Sequence, residues 1–274
     1  MDCNKIHDHI IKWIKNSWFG TNENIPVVIG ISGGKDSTVC AALLAEALGV
    51  NRVIGVMMPN GIQKDIDDSQ KVVDFLKIRS MTVNIGEAYK ALSNAIDINF
   101  CEEDVETNTQ DKPLYTTNTP ARLRMTTLYG VAAIFGGVVC NTCNLSEDWI
   151  GYSTKWGDAV GDFSLLNCLT KSEVVALGDT IGLPYELIHK VPSDGMCGKT
   201  DEDNLGFSYD ELDAYIRSQS RYNINNEYDS DPNLLPGVVA KIEKMHSAPN
   251  TKKKCIELDN PFDYSSPWHL PTAF

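Results

Sequence analysis

Apolar positions change period along the chain, and the changes mark its elements. Ile6, Ile10, Trp13 and Ile14 recur at three- and four-residue spacing, predicting an amphipathic first helix. After a polar turn at 20–24, residues 26–31 form a short β-branched run flanked by glycine, as in a buried parallel strand. Residues 38–48 read as a helix stopped by Gly49. Further strands are predicted at 52–58, 80–85 and 136–140. Helices are predicted at 65–78 and 87–96, with another beginning near Pro120, a favoured first-turn residue. Strands alternating with helices predict an α/β fold, a doubly wound parallel sheet with helices on both faces. Ligands bind such sheets beyond the C-terminal ends of the strands.

The last third reads as a helical C-terminal portion. Thr170 with Glu173, and Ser208 with Glu211, fit the reciprocal capping pattern of helix starts. Gly182 and Pro184 close the first of these helices. Residues 99–118 and 193–204 read as mobile polar loops, and 261–274, with three prolines, as a packed extended arm.

Charge narrows the partners. Twenty-four basic residues face 37 acidic ones, a net charge of −13 that suits no nucleic acid partner, because phosphate binding needs Lys and Arg. The longest apolar run, 130–140, falls far short of the roughly 20 residues of a membrane span, so no membrane partner is expected. The charged N-terminus is no export leader, which places the chain in the cytoplasm with its eight cysteines as free thiols. Cys140 and Cys143 form a CxxC without a second pair at zinc spacing, and His7-Asp8-His9 reads as a solvated helix face.

The strongest chemical feature is Gly30-Ile31-Ser32-Gly33-Gly34-Lys35-Asp36-Ser37, between a predicted strand and helix. Backbone N–H groups of a Gly-rich turn and a helix N-terminus make an anion cradle. The spacing matches neither the standard P-loop nor the dinucleotide fingerprint. An aspartate inside a phosphate cradle repels its ligand unless a cation intervenes, so Asp36 points to Mg2+.

This loop resembles that of the pyrophosphate-loop ATP pyrophosphatases, which adenylate a substrate and release pyrophosphate. Four further stretches resemble the NAD synthetase family within that group. They are Met58-Pro59 with Asp67-Asp68-Ser69; Asn118 to Met125; Thr142 to Glu147 with Gly151 to Asp162; and Pro192 to Asp194 with Thr200 to Asp213. Together they span nearly the whole chain. The resemblance implies an adenine nucleotide alpha hydrolase-like fold and amidation of nicotinic acid adenine dinucleotide (deamido-NAD) by ammonia. ATP is the co-substrate, Mg2+ the cofactor, and an acyl-adenylate the intermediate.

By the same resemblance Gly30, Ile31, Ser32, Gly33, Gly34, Lys35, Asp36, Ser37, Thr142, Lys171 and Ser193 bind ATP. Asp36 and Glu147 hold the metal; Arg122, Lys155, Asp162 and Lys252 hold deamido-NAD; and Asp158 and Lys171 take catalytic roles. Thr251 stands where the family carries a histidine. The chain reads as a single NAD synthetase domain, 1–274, without the glutaminase domain of glutamine-dependent members, so free ammonia is the expected nitrogen source. The resemblance also implies a homodimer. Other pyrophosphate-loop enzymes, such as tRNA thiolases, and a non-catalytic nucleotide-binding module share the loop. The acidic charge disfavours the former, and retention of Asp36 and Glu147 the latter.

Overall fold

The computed structural model describes residues 2–62, 66–99, 112–190, 200–219 and 234–247. Five parallel strands lie in the order β3-β2-β1-β4-β5: β1 Val27–Gly30, β2 Val53–Met57, β3 Arg79–Thr82, β4 Val138–Asn141 and β5 Phe163–Ser164. Val27 pairs with both Val53 and Val138, so β1 is central and the strand order reverses beside it. A crevice at such a reversal is where α/β sheets place ligands.

Successive strand residues face opposite sides, and the core divides accordingly. Val27, Ile29, Val53, Met57, Val138 and Cys140 pack with Ile6, Ile10 and Ile14 of α1 (Cys3–Asn16), Leu43 and Leu44 of α3 (Lys35–Leu48) and Leu177 of α8 (Lys171–Thr180). Val28, Ile54, Val56 and Val139 pack on the other side with Ile85 and with Val131 and Ala132 of α6 (Pro113–Phe135). Helices therefore cover both faces, as the alternation predicts; the series also includes α2 (Trp18–Thr21), α5 (Gly86–Asn99) and α9 (Tyr185–Ile188). A third cluster joins α7 (Leu145–Ile150), α11 (Tyr209–Ser218) and α12 (Pro236–His246) into the helical C-terminal portion. Among the described residues, no helix is long and apolar enough to cross a membrane.

Several boundaries differ from the sequence reading. The helix expected near Pro120 begins at Pro113, which takes the first-turn position and leaves Pro120 buried in the helix interior. Residues 113–118 are thus helical where a loop was expected. Gly136 is the left-handed cap that ends α6 at φ +64°, so β4 starts two residues later than predicted. The edge strand β3 starts one residue early, at Arg79, and ends at Thr82. Backbone bonds from Val83 to Met57 and from Ile85 to Pro59 carry the pairing on beyond it. Both predicted capping boxes form: Thr170 N–H donates to Glu173 Oε2 at 2.9 Å and Ser208 N–H to Glu211 Oε2 at 2.8 Å. A third box, Thr200 with Asp203, opens α10 (Asp201–Leu205) inside the stretch read as a loop. Residues 100–111 and 193–199 of the expected loops, Ser193 among them, lie outside the described residues, as do the C-terminal arm and Lys252.

Candidate active site

The Gly-rich loop joins β1 to α3 at the C-terminal edge of the sheet. Its shape is fixed by its own hydroxyls. Ser37 Oγ donates to the Gly34 carbonyl (3.1 Å), Ser32 Oγ lies 3.0 Å from Ser37 Oγ, and Gly34 N–H donates to Ser32 Oγ (3.2 Å). Gly34 caps α3 with no side-chain acceptor of its own, which leaves first-turn N–H groups of that helix for an anion. Gly33 has φ +76°, and a Cβ there would stand 2.8 Å from Asp68 Cβ and from the Ser69 nitrogen on the adjoining helix α4 (Ile66–Leu76). Gly33→Ala thus meets both left-handed strain, about 1–2 kcal/mol, and a backbone clash. It is expected to raise KM for ATP at least tenfold while lowering the melting temperature by only a few degrees, as steady-state kinetics and a thermal melt would read.

Helix α3 begins at Lys35, earlier than the predicted 38, so Asp36 sits in its first turn beside the cradle. Glu147 comes from the first turn of α7, just beyond β4, and Lys171 opens α8. The three converge. Lys171 Nζ lies 2.9 Å from Asp36 Oδ2 and 2.7 Å from Glu147 Oε1, with 7% of its side chain exposed against 17% for each carboxylate. Asn144 holds the outer oxygens, its Nδ2 donating to Asp36 Oδ1 (2.9 Å) and its N–H to Glu147 Oε2 (3.4 Å). Burial opposes the Lys171 charge, but Asp36 and Glu147 outweigh it and keep the ammonium well above its ordinary range. Burial likewise pushes Glu147 up, to about 7, against the pull of Lys171. Lys35 is lowered by burial and then by Lys171.

A carboxyl raised on folding binds its proton more tightly in the native state. Its contribution to stability is therefore present at low pH and fades as pH climbs from about 4.5 to about 7. Between those limits, wild type minus Glu147→Gln should lose melting temperature with rising pH, measured without divalent ions. A flat difference would contradict the assignment.

The pair also passes a test for a hard cation. Two carboxylates aim inner oxygens at one point that already holds positive charge, with outer oxygens fixed by Asn144. Among the described residues no set of three or more His, Cys, Asp or Glu side chains forms a protein-only cage. Mg2+ suits such a site, since it takes one or two carboxylates and completes its shell with phosphates and water.

Of the other candidate residues, Arg122 lies on α6 and Lys155, Asp158 and Asp162 lie in the loop 151–162. Arg122, exposed, donates through Nε to the Lys155 carbonyl (3.2 Å), and Thr154 Oγ1 donates to Asn118 Oδ1 (2.9 Å). These bonds tie loop to helix. Lys155 Nζ lies 5.8 Å from the Trp156 ring centroid. Asp158 accepts from the Thr154 N–H (2.7 Å), while its carbonyl takes Asn141 Nδ2 (2.7 Å). Surrounding protein raises the Asp158 carboxyl, opposed by Thr154, and its exposed edge lets water offset part of that. Asp162 has both carboxylate oxygens engaged, by Val139 N–H (2.7 Å) and Tyr129 OH (3.2 Å). Thr142, half-buried, directly follows β4.

Several contributors escaped the sequence reading. Asn144 fits a glycosylation sequon but is fully buried at the centre of the site, and the Asn-x-x-Glu cap pattern could have found it. Tyr209 places its ring 5.0 Å from Lys171 Nζ. Asp213, buried, bonds Ser146 Oγ, Ser172 Oγ and Ser172 N–H, and thereby fixes α11 against the starts of α7 and α8. His7 is not simply solvated: its Nε2 lies 2.8 Å from Glu46 Oε2. Cys143 is buried with its thiol pushed up, and it donates to the Asp158 carbonyl.

The chain is similar in sequence and fold to known proteins. A model of the family "NAD synthase" matches residues 6–255. The NH(3)-dependent NAD(+) synthetase of Pyrococcus furiosus is 34% identical over 251 residues, covering 89% of this chain and 90% of that protein. That of Methanococcoides burtonii is 36% identical, covering 79% and 80%. Among solved structures, an NMN synthetase from Francisella tularensis superposes with a TM-score of 0.76 at 28% identity, covering 93% of this chain and 98% of that one. An NH3-dependent NAD synthetase from Campylobacter jejuni gives 0.68 at 25% identity, with the same coverage.

Proposed function

Because the chain belongs to the NAD synthase family, we propose that it amidates deamido-NAD with free ammonia, converting ATP to AMP and pyrophosphate. The observation that carries the reading is the meeting of Asp36, Glu147 and Lys171 beside the uncapped first turn of α3.

A carboxylate cannot be amidated directly, because oxide is a poor leaving group. In the proposed reaction an oxygen of the acceptor carboxylate attacks the α-phosphorus of ATP, and pyrophosphate departs with the electrons of the broken P–O bond. The Gly33–Ser37 backbone and Lys171 receive the charge that develops on the departing phosphates. Mg2+, when bound by Asp36 and Glu147, supplies the remaining neutralisation of the triphosphate. Ammonia then attacks the acyl carbon, AMP leaves, and one proton is lost. In this reading Asp158 attracts ammonium and takes that proton, supported by its exposed edge and a carboxyl oriented by Thr154. Arg122 of α6, with Lys155 and Asp162 of the loop 151–162, holds the dinucleotide in this reading, and Asp162 also ties that loop to Val139 and Tyr129. Ser193 and Lys252 complete the ATP and dinucleotide sites in this reading, which treats 1–274 as one ammonia-dependent domain. A homodimer belongs to the same reading, with exposed Leu114 and Ile134 of α6 as apolar surface for it.

The likeness to an NMN synthetase favours one competing acceptor, a mononucleotide whose amidation yields NMN. Product analysis separates the two. Protein, ATP, MgCl2 and ammonium chloride should give NAD, AMP and pyrophosphate one to one to one with deamido-NAD, at a kcat/KM at least tenfold above that for nicotinic acid mononucleotide. The reverse preference moves the acceptor to the mononucleotide. ADP and phosphate as products would overturn the adenylation reading.

A further inference from the structure

Lys171 stands where the two proposed metal-binding carboxylates meet. Its Nζ bonds their inner oxygens, Asp36 Oδ2 and Glu147 Oε1, while Asn144 takes the outer ones. An ammonium and a divalent ion would therefore compete for the same two oxygens. We propose that Lys171 is the resident counter-ion of the Asp36–Glu147 pair, and that it leaves those carboxylates only when nucleotide phosphates offer it new acceptors. The divalent ion then enters with the nucleotide and not before it. This rests on the assignment of Asp36 and Glu147 as the metal ligands.

Three features support it. First, both carboxylates are 17% exposed and face one another, an arrangement that repels itself unless a cation lies between. Second, the Lys171 backbone is anchored, its N–H donating to Ser146 Oγ at 2.9 Å, and Ser146 is in turn held by Asp213. Movement is thus confined to the four-carbon side chain, which has the freedom to turn. Third, the uncapped first turn of α3 lies immediately beside Asp36, so phosphates bound there come within the neighbourhood of the same ammonium. A divalent ion arriving alone would have to displace a buried ammonium from both of its carboxylate partners at once. Arriving with a triphosphate, it exchanges places with Lys171 at little electrostatic cost.

Water-proton relaxation of Mn2+ tests the exchange without any turnover, because protein-bound Mn2+ tumbles slowly and Mn2+ on free nucleotide does not. Full-length wild type should bind Mn2+ alone at least tenfold more weakly than with an α,β-methylene ATP analogue present. Lys171→Met should bind Mn2+ alone at least tenfold more tightly than wild type. Equal affinity of wild type and Lys171→Met for Mn2+ alone would overturn the proposal. So would wild-type binding that is indifferent to the analogue, an outcome that needs no variant to fold. Asp36→Asn separates the underlying assignment: if it retains the wild-type enhancement with the analogue, the metal is held elsewhere and both ideas fall.

Discussion

Asp36→Asn should lower kcat/KM for ATP by about a thousandfold while shifting the melting temperature by no more than a few degrees. The exchange of one oxygen for an amide nitrogen keeps the shape of the side chain but removes its charge. Lys171 keeps Glu147 as a partner, and the amide oxygen can still accept from Asn144 Nδ2, so the fold loses little. What is lost is one of the two carboxylates proposed to carry the divalent ion against the triphosphate. Metal clamping of phosphoryl oxygens supplies several kcal/mol of transition-state stabilisation, and about 4 kcal/mol corresponds to a factor of roughly a thousand. Single-turnover quench experiments that follow AMP formation would measure it. A loss under tenfold would make Asp36 only a structural partner of Lys171.

The second large effect concerns stability. Arg217, 2% exposed, forms a bidentate pair with Glu173 through Nε (2.8 Å to Oε1) and Nη2, and also donates to the Cys168 carbonyl at 3.0 Å. Glu173 simultaneously accepts the Thr170 N–H that starts α8. Arg217→Met strands a buried carboxylate two residues from Lys171. Removing one partner of a buried pair costs about 3–5 kcal/mol, which for a chain of this size lowers the melting temperature by about 10 °C. The double change Glu173→Leu with Arg217→Met should recover part of that loss, since no charge is then left unpaired. Calorimetry of the three variants decides it. A double variant no better than the single would mean that the pair mainly secures the helix cap.

The Gly-rich loop and the sheet around it were legible because their determinants are local. A β-branched run, glycines and a helical run follow one another between residues 26 and 48, and each restricts the backbone by itself. Asp36 was legible too, as a charge out of keeping with a phosphate cradle. The bond between Lys171 and Asp36 spans 135 positions and that between Asn144 and Asp36 spans 108. Neither distance leaves a periodic trace, and only the resemblance brought Glu147 and Lys171 into the site. Pro120 misled because proline favours a first turn, whereas in α6 Pro113 takes that position and Pro120 is tolerated in the interior despite the backbone bond it removes. Asp213 was read as part of a loop-and-helix motif, yet its buried bonds to Ser146 and Ser172 set the positions of two other helix starts.

The central claim is that the acceptor carboxylate is activated by adenylation. The most direct test uses deamido-NAD carrying 18O in both carboxylate oxygens, turned over with ATP, Mg2+ and ammonium chloride, with products read by mass spectrometry. One labelled oxygen should pass to the phosphate of AMP and the other should remain in the amide of NAD. Label found in pyrophosphate or phosphate, with AMP unlabelled, would contradict the account.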